Sequence, residues 1–330
     1  MRLSRQLLAI GAVLGLLMVS ISAGIAADDA SFVWTKDEAA GRANLMFGNQ
    51  PVVRYVYPYD PSTKERLFET YKPFHHVFGP GTQTEITQGT NGKQFPHHRG
   101  VYVGWNKTGF EGQTLDFWHC TKGAHQKHVK FLELKGDKTH GRMVAEIHWN
   151  DADGKPVIIE TRTLVARREP TTNGWQLDWS SKLASQRGEI SLDGDRQHAG
   201  FQFRAAPEVG AKNAARFMRP ANFEQKPDAI QVGDAGTPPP HIDLTWFAMN
   251  FPVGEQRFTV EYFDNPNLPK PALFSERPYG RFGTFFKTKV AADKPLELKY
   301  RLIVSAGEAP TVAAIQKRYD QFVNDLKTSP

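Results

Sequence analysis

The chain of 330 residues carries 41 basic and 35 acidic side chains, 12% aromatic residues and one cysteine. No long Lys or Arg run accompanies this mild positive charge, so nucleic acid is excluded as the expected partner. The lone Cys120 excludes an internal disulfide, and a hydrophobic core must therefore stabilise the fold.

The N-terminus has the pattern of an export signal. Arg2 and Arg5 precede an apolar run that ends near Ile21, and small residues continue to Ala26. We therefore expect residues 1–26 to be a cleaved signal peptide and the protein to be periplasmic or extracellular. The apolar run is shorter than a membrane-spanning helix, and no cysteine follows it to accept lipid. We expect no stable membrane insertion after cleavage.

Short segments of alternating or β-branched apolar residues recur after this signal, separated by turn-forming stretches such as NDADGKP and DNPNLPKP. Helical patterns do not intervene, so the spacing predicts an all-β fold, either a sandwich or a barrel. We expect residues 27–330 to form one large domain. The strongest strand signals lie at residues 51–58, 99–106, 143–150, 157–168, 175–183, 242–251, 256–264 and 296–307.

Two segments depart from the strand pattern. Prolines recur through residues 205–240, which excludes central strands there and predicts a long loop over one end of the sheets. Residues 309–326 instead place apolar side chains at helical spacing, which predicts a terminal helix packed on a sheet. The apolar face of that helix comprises Val312, Ile315, Tyr319, Phe322 and Val323.

The stretch PHHRGVYVGWN places two histidines beside an arginine at the start of a predicted strand. Alternation along a strand puts His98 and Tyr102 on one face and His97 on the other. The stretch TLDFWHC alternates in the same way, with Asp116 and Trp118 opposite the core face. If the two strands pair, His98, Tyr102, Asp116 and Trp118 share one polar and aromatic surface.

This surface suits two kinds of chemistry. A histidine near a carboxylate has a tunable proton affinity and can act as a general acid or base. Trp and Tyr rings can stack on the apolar face of a sugar. An ordinary hydrogen-bonded pair between His98 and Asp116 on a solvated face is the structural alternative, and spacing alone leaves both open.

Arginines further along offer substrate contacts. The stretch DRQHAGFQFR places His198 and Arg204 near the start of a strand, and SERPYGRFG carries Arg277 in a loop bounded by Gly and Pro. Pro278 favours extended backbone at Arg277, whose planar guanidinium could bind a carboxylate or sugar hydroxyls. Pairing of Arg277 with a nearby carboxylate is the alternative.

Histidines are frequent in the first half of the chain, and a metal enzyme is a further hypothesis. Their spacing matches no strong metal signature, so we assign no metal ligand and no cofactor from the sequence. The histidines that this hypothesis would draw on are His75, His76, His98, His119, His125 and His128.

Several segments, in order, resemble an exported bacterial family of unknown function labelled methane oxygenase PmoA. They are KPFHHVFGPGT, FPHHRGVYVGWN, LDFW, HAGFQFR, VEYFDNPNLPKPALFSERPYGRFGTFF and YRLIVSAG, within about Gln50 to Gly307. We discount methane oxidation, because an integral membrane subunit needs stretches of about 20 apolar residues that residues 27–330 lack.

The resemblance implies a role in carbohydrate utilisation and a layout similar to the galactose-mutarotase-like supersandwich of aldose epimerases, here with a C-terminal helix. Fold similarity of this kind supports an architecture better than a reaction. The positions that the resemblance implies are His76, His98, Arg99, Gly100, Asp116, Phe117, Trp118, Gly200, Arg204, Asn265, Pro266, Arg277 and Gly280.

Together these patterns predict an exported carbohydrate-active protein, a hydrolase, lyase or epimerase acting on a sugar or uronate. His98 or His76 would act as general acid or base with Asp116. The predicted substrate-binding residues are Arg99, Tyr102, Trp118, Arg204, Asn265 and Arg277. A non-catalytic glycan-binding protein and a histidine-ligated metal enzyme are the alternatives.

Overall fold

The computed structural model describes residues 30–223 and 242–328. The predicted signal peptide and residues 224–240 of the predicted loop lie outside these ranges. The first ten strands are β1 Phe32–Asp37, β2 Arg42–Phe47, β3 Gln50–Val56, β4 Phe74–Val77, β5 Val101–Trp105, β6 Lys107–Phe110, β7 Gln113–Leu115, β8 His125–Gly136, β9 His140–Asn150 and β10 Pro156–Glu169. They are followed by β11 Gly174–Ser185, β12 Ile190–Asp193, β13 Ala199–Arg204, β14 Arg216–Met218, β15 Trp246–Val253, β16 Gln256–Phe263, β17 Leu273–Arg277, β18 Arg281–Phe285, β19 Thr288–Val290 and β20 Leu296–Ala306. The helices are α1 Lys64–Thr70, α2 Pro207–Lys212 and α3 Val312–Thr328.

The strands form two large antiparallel sheets and one small one. The first sheet has the order β1-β2-β3-β4-β5-β13-β18-β17, and the second has the order β14-β15-β16-β20-β11-β10-β9-β8. The small sheet has the order β19-β12-β6-β7. The predicted all-β sandwich with a C-terminal helix is confirmed, and each of the eight predicted strand segments contains a strand.

The main core lies between the two large sheets. On β5, alternate residues Val101, Val103 and Trp105 point into it, as predicted from the alternation. Aromatic rings bridge the sheets, for instance Phe201 on β13 with Tyr300 on β20 at 4.6 Å between ring centroids. Burial of such rings gives each about 1.5–3 kcal/mol of hydrophobic stabilisation, which a chain without disulfides requires.

The terminal helix α3 packs on the outer face of the second sheet. On β15, Trp246 and Ala248 face this helix, while Phe247 and Met249 face the main core. Ile315, Tyr319 and Phe322 are the buried residues of α3. The predicted apolar face therefore packs as expected.

The segment predicted as a loop at residues 205–240 contains two regular elements within its described part. Pro207 occupies the first turn of α2, where its missing N–H costs nothing. β14 then pairs with β15 at the edge of the second sheet, which agrees with the exclusion of a central strand. Across residues 30–223 and 242–328, the helices are all too short or too polar to cross a membrane.

Candidate histidine site

The two adjacent histidines lie in a turn that precedes β5. Phe95 and Gly100 have left-handed backbone, with φ of 51° and 37°. Gly100 is required here, because a Cβ would overlap the carbonyl oxygen of His75. The turn brings the rings of His97 and His98 together, at 4.3 Å between centroids. The predicted separation of His97 and His98 onto opposite faces therefore does not occur.

Asp116 closes a second turn, directly after β7. Its Oδ1 accepts hydrogen bonds from the backbone N–H groups of Trp118 at 2.9 Å and His119 at 2.7 Å. Its Oδ2 lies 2.8 Å from Nδ1 of His119. The expected pairing of Asp116 with His98 is thus replaced by a pairing with His119, because an Asp side chain bonds readily to its own turn.

Asp195 closes a third turn, just before β13. Its Oδ1 accepts a hydrogen bond from the N–H of Gln197 at 2.8 Å and lies 3.0 Å from Nδ1 of His198. Asn106 donates to the other carboxylate oxygen at 3.0 Å. His198 is therefore oriented by a carboxylate in the same way as His119.

The three turns bring His97, His119 and His198 into one group, the histidine centre. Ring centroids are 4.8 Å apart for His97 and His119, and also for His119 and His198. One ring nitrogen from each residue lies within 4.8 Å of the others, which is close enough to hold a metal ion. The side chains of His119 and His198 are 28% and 27% exposed, so the centre opens to solvent.

The electrostatics of the centre favour a neutral His97 between ionised carboxylates. Burial, reinforced by the positive charge of Lys72, lowers the pKa of His97 to about 2. Burial opposes ionisation of Asp116, but the hydrogen bonds from His119 outweigh it and lower the Asp116 pKa. The pKa of Asp195 is lowered by the same balance of burial against its bond to His198.

Beneath the centre lies a polar floor formed by His98, Gln202 and Arg281. All three are buried, and Gln202 and Arg281 lie on the face of the first sheet opposite the core residues Phe201 and Phe282. Within residues 30–223 and 242–328, no partner is found for either ring nitrogen of His98, either amide atom of Gln202, or Nε and Nη2 of Arg281. Buried polar groups usually have a partner, so these atoms are available to hydrogen-bond water or a ligand. Burial, with Arg281 next in effect, lowers the pKa of His98 well below its usual value.

The predicted aromatic platform is buried. Tyr102 and Trp118 are fully covered, and Nζ of Lys72 lies 3.7 Å from the Tyr102 ring centroid. Lys72 also donates to the carbonyl of Trp118. In this conformation neither ring can stack on a sugar. Phe68 and Phe95 are instead exposed aromatic residues of the described chain, at 40% and 42%.

Two of the predicted substrate-binding arginines have structural partners. Arg99 donates to the carbonyls of Phe68 and Glu69 in the last turn of α1, where carbonyls lack helical partners. Arg204 donates to Oε1 of Gln88 at 3.2 Å, and burial lowers its pKa to about 10. Both guanidinium groups hold the loops around the histidine centre in place.

The other predicted site residues, His76, Asn265 and Arg277, are not members of the histidine centre. Nδ1 of His76 is 3.0 Å from Oγ1 of Thr87 and 3.0 Å from a carboxylate oxygen of Glu85. Asn265 caps its own loop by accepting from the N–H of Asn267. Arg277 is buried at the end of β17, opposite Arg281 on β18.

The set of histidines proposed for a metal enzyme is also dispersed. His75 stacks on Tyr55 at 4.7 Å, and His125 stacks on Tyr59 at 4.5 Å. His128 lies 3.3 Å from the Tyr55 hydroxyl. Of that set, His119 is the member that belongs to the three-residue group found among the described residues.

Two cavities with separate linings border the histidine centre. One, of about 310 Å³, is lined by His97, His119, Cys120, Thr121, Lys64, Leu67, Phe68 and Tyr71. The other, of about 360 Å³, is lined by His198, Asp195, Gly194, Arg196, Gln197, Leu273, Phe285 and Lys287. Cavities of this size hold small-molecule ligands in other proteins.

The sequence signal for this site is the spacing Asp-x-x-His, which strand alternation does not reveal. It occurs as DFWH at Asp116 and as DRQH at Asp195. A further copy, DKTH, forms the same local pair between Asp137 and His140 at 3.2 Å, in the turn between β8 and β9. Spacing alone therefore identifies the turn but not the site, since tertiary structure brings only the first two pairs together with His97.

Comparisons with solved structures show low similarity. The galactosidase domain of an alpha-galactosidase-sucrose kinase matches 83% of this chain with 8% identity and a TM-score of 0.40, and this chain covers 42% of it. The alpha-N-acetylgalactosaminidase of Bifidobacterium bifidum matches 89% of this chain with 10% identity and a TM-score of 0.38, and this chain covers 37% of it. A GalM/aldose epimerase homologue from C. elegans matches 85% of this chain with 7% identity and a TM-score of 0.31, and this chain covers 100% of it. The chain thus spans less than half the length of the first two.

At these values the solved structures carry no argument about activity. No curated protein matches the sequence. The methane oxygenase label suggested by the resemblance has no support in the comparisons. The match that covers most of the chain is to the family described as Family of unknown function (DUF6807), over residues 42–320. The chain belongs to this family of unknown function.

Proposed function

We propose that this protein is an exported carbohydrate-active enzyme that binds a sugar or uronate over the histidine centre. The observation that carries the proposal is the convergence of three partly buried histidines beside two cavities, with two of them oriented by carboxylates. Oriented imidazoles at an open cavity are groups that can exchange protons or bind a ligand oxygen. The reaction class stays a hydrolase, lyase or epimerase.

The surroundings of the centre suit a sugar. Phe68 and Phe95 expose aromatic surface beside His97, and rings of this kind pack against the apolar face of a pyranose. Lys64 and Lys287 line the two cavities and would attract an acidic sugar. A uronate combines the apolar face and the negative charge that these residues recognise.

Turnover by the mature chain tests this proposal. The protein is incubated with a panel of neutral sugars, uronates and keto-sugars, and NMR follows their conversion. We expect one class to be converted by the wild type and by His140→Ala, but at least about 10-fold more slowly by His198→Ala, because the loss of a positioned acid or base costs about that much or more.

The His140→Ala variant is the matched control, since His140 forms the same Asp-x-x-His pair away from the centre. Equal turnover by His198→Ala and His140→Ala would show that the histidine centre takes no part in the reaction. No turnover of any member of the panel would leave the enzyme proposal without support and favour the second candidate below.

A non-catalytic glycan-binding protein is the second candidate, and the exposed Phe95 and Phe68 favour it. Under this proposal, binding measured by calorimetry survives His198→Ala but is lost with Phe95→Ala, because aromatic stacking supplies the affinity. The enzyme proposal predicts that both variants weaken binding or turnover.

Export is part of the proposal. The mature N-terminus expected from the sequence follows Ala26. Mass spectrometry of the protein recovered from the periplasm of a Gram-negative host should give the mass of a chain that begins at residue 27. A full-length product in the cytoplasm would argue against export.

A further inference from the structure

We infer that the histidine centre binds one divalent transition-metal ion, with zinc as the best match, through one ring nitrogen each of His97, His119 and His198. The inference shares its site with the proposed function and starts from the same convergence of histidines, but it adds the unpartnered Nε2 of His97 and needs no sugar. Metal binding can therefore hold where sugar binding fails.

The ligand atoms follow from the hydrogen bonds. Nδ1 of His119 and Nδ1 of His198 are bonded to Asp116 and Asp195, which leaves Nε2 of each ring available as a metal ligand. Nε2 of His97 is buried and has no hydrogen-bond partner among the described residues. Three imidazole nitrogens are a common ligand set for zinc, and copper, nickel and cobalt also accept them.

The carboxylates are placed as metal sites require. A ligating histidine usually donates its other ring N–H to a carboxylate, which fixes the ring and raises its basicity. Asp116 and Asp195 do this for two of the three rings, and Asn106 in turn donates to Asp195 at 3.0 Å. The two negative charges also offset the charge of the ion, whereas the buried Lys72 and Arg281 oppose it.

The spacing fits one ion after small side-chain rotations. Nitrogens around one tetrahedral zinc lie about 3.4 Å apart, given zinc–nitrogen distances of about 2.1 Å. The three nitrogens here lie within 4.8 Å of one another. With three protein ligands and solvent-exposed rings, the ion would keep an open position for water or for an oxygen of a ligand, as catalytic zinc sites do.

The local turns alone do not produce this arrangement. Asp137 and His140 form the same pair, but within the described residues they join no group of three potential ligands. What distinguishes the histidine centre is that two such turns converge on His97, whose buried Nε2 lacks any other partner among the described residues.

The test uses the mature chain purified without a histidine tag and stripped with a chelator. Zn²⁺ alone is titrated in by calorimetry, with Co²⁺ in parallel because its visible absorption reports the coordination geometry. We expect one ion per chain. His119→Ala and His198→Ala should weaken binding at least about 100-fold, and Asp116→Asn about 10- to 100-fold, while His140→Ala binds as the wild type does.

Circular dichroism establishes that each variant is folded, and Asp116→Asn, which keeps all three imidazoles, guards against a variant that fails to fold. The inference is overturned if the folded wild type takes up less than a tenth of an equivalent of Zn²⁺. It is equally overturned if His140→Ala loses as much affinity as His119→Ala. Sugar is absent throughout, so this outcome is independent of the proposed function.

Discussion

Asp116 and Asp195 have the same role at two places in the chain. Each carboxylate closes its own turn through backbone N–H groups and bonds Nδ1 of the histidine three residues later. A bond from Nδ1–H to the carboxylate selects one tautomer and leaves Nε2 available. The side-chain chemistry of two short segments therefore determines how the rings are presented at the histidine centre.

This role predicts the tautomers of the metal-free protein. Long-range proton–nitrogen NMR spectra near neutral pH should show His119 and His198 protonated on Nδ1. In Asp195→Asn, His198 should shift toward the other tautomer while His119 stays unchanged, because each carboxylate holds its own ring. A wild-type His198 protonated on Nε2 would contradict the geometry of the centre.

The polar floor predicts a conflict between stability and binding. Gln202 is buried with both amide atoms unpartnered among the described residues, so Gln202→Leu should stabilise the fold by about 1 kcal/mol. Gln126 is buried too, but it donates to the carbonyls of Val103 and Phe117, and Gln126→Leu should destabilise by about 1–3 kcal/mol. Urea unfolding measures both changes.

If Gln202→Leu destabilises as much as Gln126→Leu does, the floor is internally satisfied and has no need of water or ligand. If Gln202→Leu is instead more stable and also binds sugar less well, the unpartnered amide serves the ligand. Retention of such a residue at a cost in stability is typical of functional sites.

At the residue scale, part of the site could be predicted from the sequence. Asp116 was predicted as the site carboxylate, and the structure places it beside the histidine centre, although with His119 as its partner. The partner was missed because strand alternation was extended past Leu115, where β7 ends and the chain turns. The Asp-x-x-His spacing carries this information locally but gives no sign of convergence.

At the scale of elements, the turn before β5 assembles the site. Gly100 adopts a φ of 37°, and a Cβ there would overlap the His75 carbonyl. Gly100→Ala should therefore destabilise the fold by about 3 kcal/mol or more and displace His97 and His98. Gly112→Ala is the matched control, since its φ is 74° but no atom lies within 4 Å of the added Cβ.

For Gly112→Ala we expect a cost of about 1 kcal/mol, from the left-handed backbone alone. Thermal unfolding of the two variants separates the steric clash from the conformational preference. Equal costs would mean that the turn before β5 relaxes easily and does not fix the histidines.

The strands themselves were predictable, but the turn that joins the histidines was not. Alternation correctly placed Val101 and Trp105 in the core and Tyr102 on the opposite face. His98, Arg99 and Gly100 fit the same two-residue alternation, so the alternation does not show where β5 begins. Left-handed backbone is rare for a bulky residue such as Phe95, so local propensity does not predict this turn.

At the scale of the whole molecule, buried histidines predict a loss of stability in mild acid. Burial lowers the pKa of His128 to about 4 and that of His75 well below its usual value of 6.5. Between pH 6.5 and about 4 the unfolded chain binds protons that the folded chain does not. The free energy of unfolding is therefore undiminished above pH 6.5 and falls as the pH drops toward 4.

Urea unfolding at pH 7.5, 6 and 5 measures this slope, which is at most about 1.4 kcal/mol per pH unit for each such histidine. His128→Gln should reduce the slope. A wild-type stability that does not change between pH 7.5 and 5 would show that these histidines are protonated in the folded protein.

The architecture of the molecule explains why function was harder to predict than fold. The two sheets follow from periodic apolar residues along each strand. The histidine centre instead joins turns at residues 95–100, 116–119 and 195–198. The turns at 116–119 and 195–198 meet at the end of β5, where Phe117 donates to the Trp105 carbonyl and Ala199 pairs with Trp105, and His97 reaches them from the turn before β5. Topology of this kind is set by the whole chain, and no single motif reports it.

The most direct measurement of the central claim is calorimetric titration of the panel sugar that binds best, carried out on the wild type, His198→Ala and His140→Ala. The account predicts equal affinity for the wild type and His140→Ala, and at least about 10-fold weaker binding, or about 1.4 kcal/mol, for His198→Ala. Undiminished affinity of the folded His198→Ala variant would contradict the assignment of the histidine centre as the functional site.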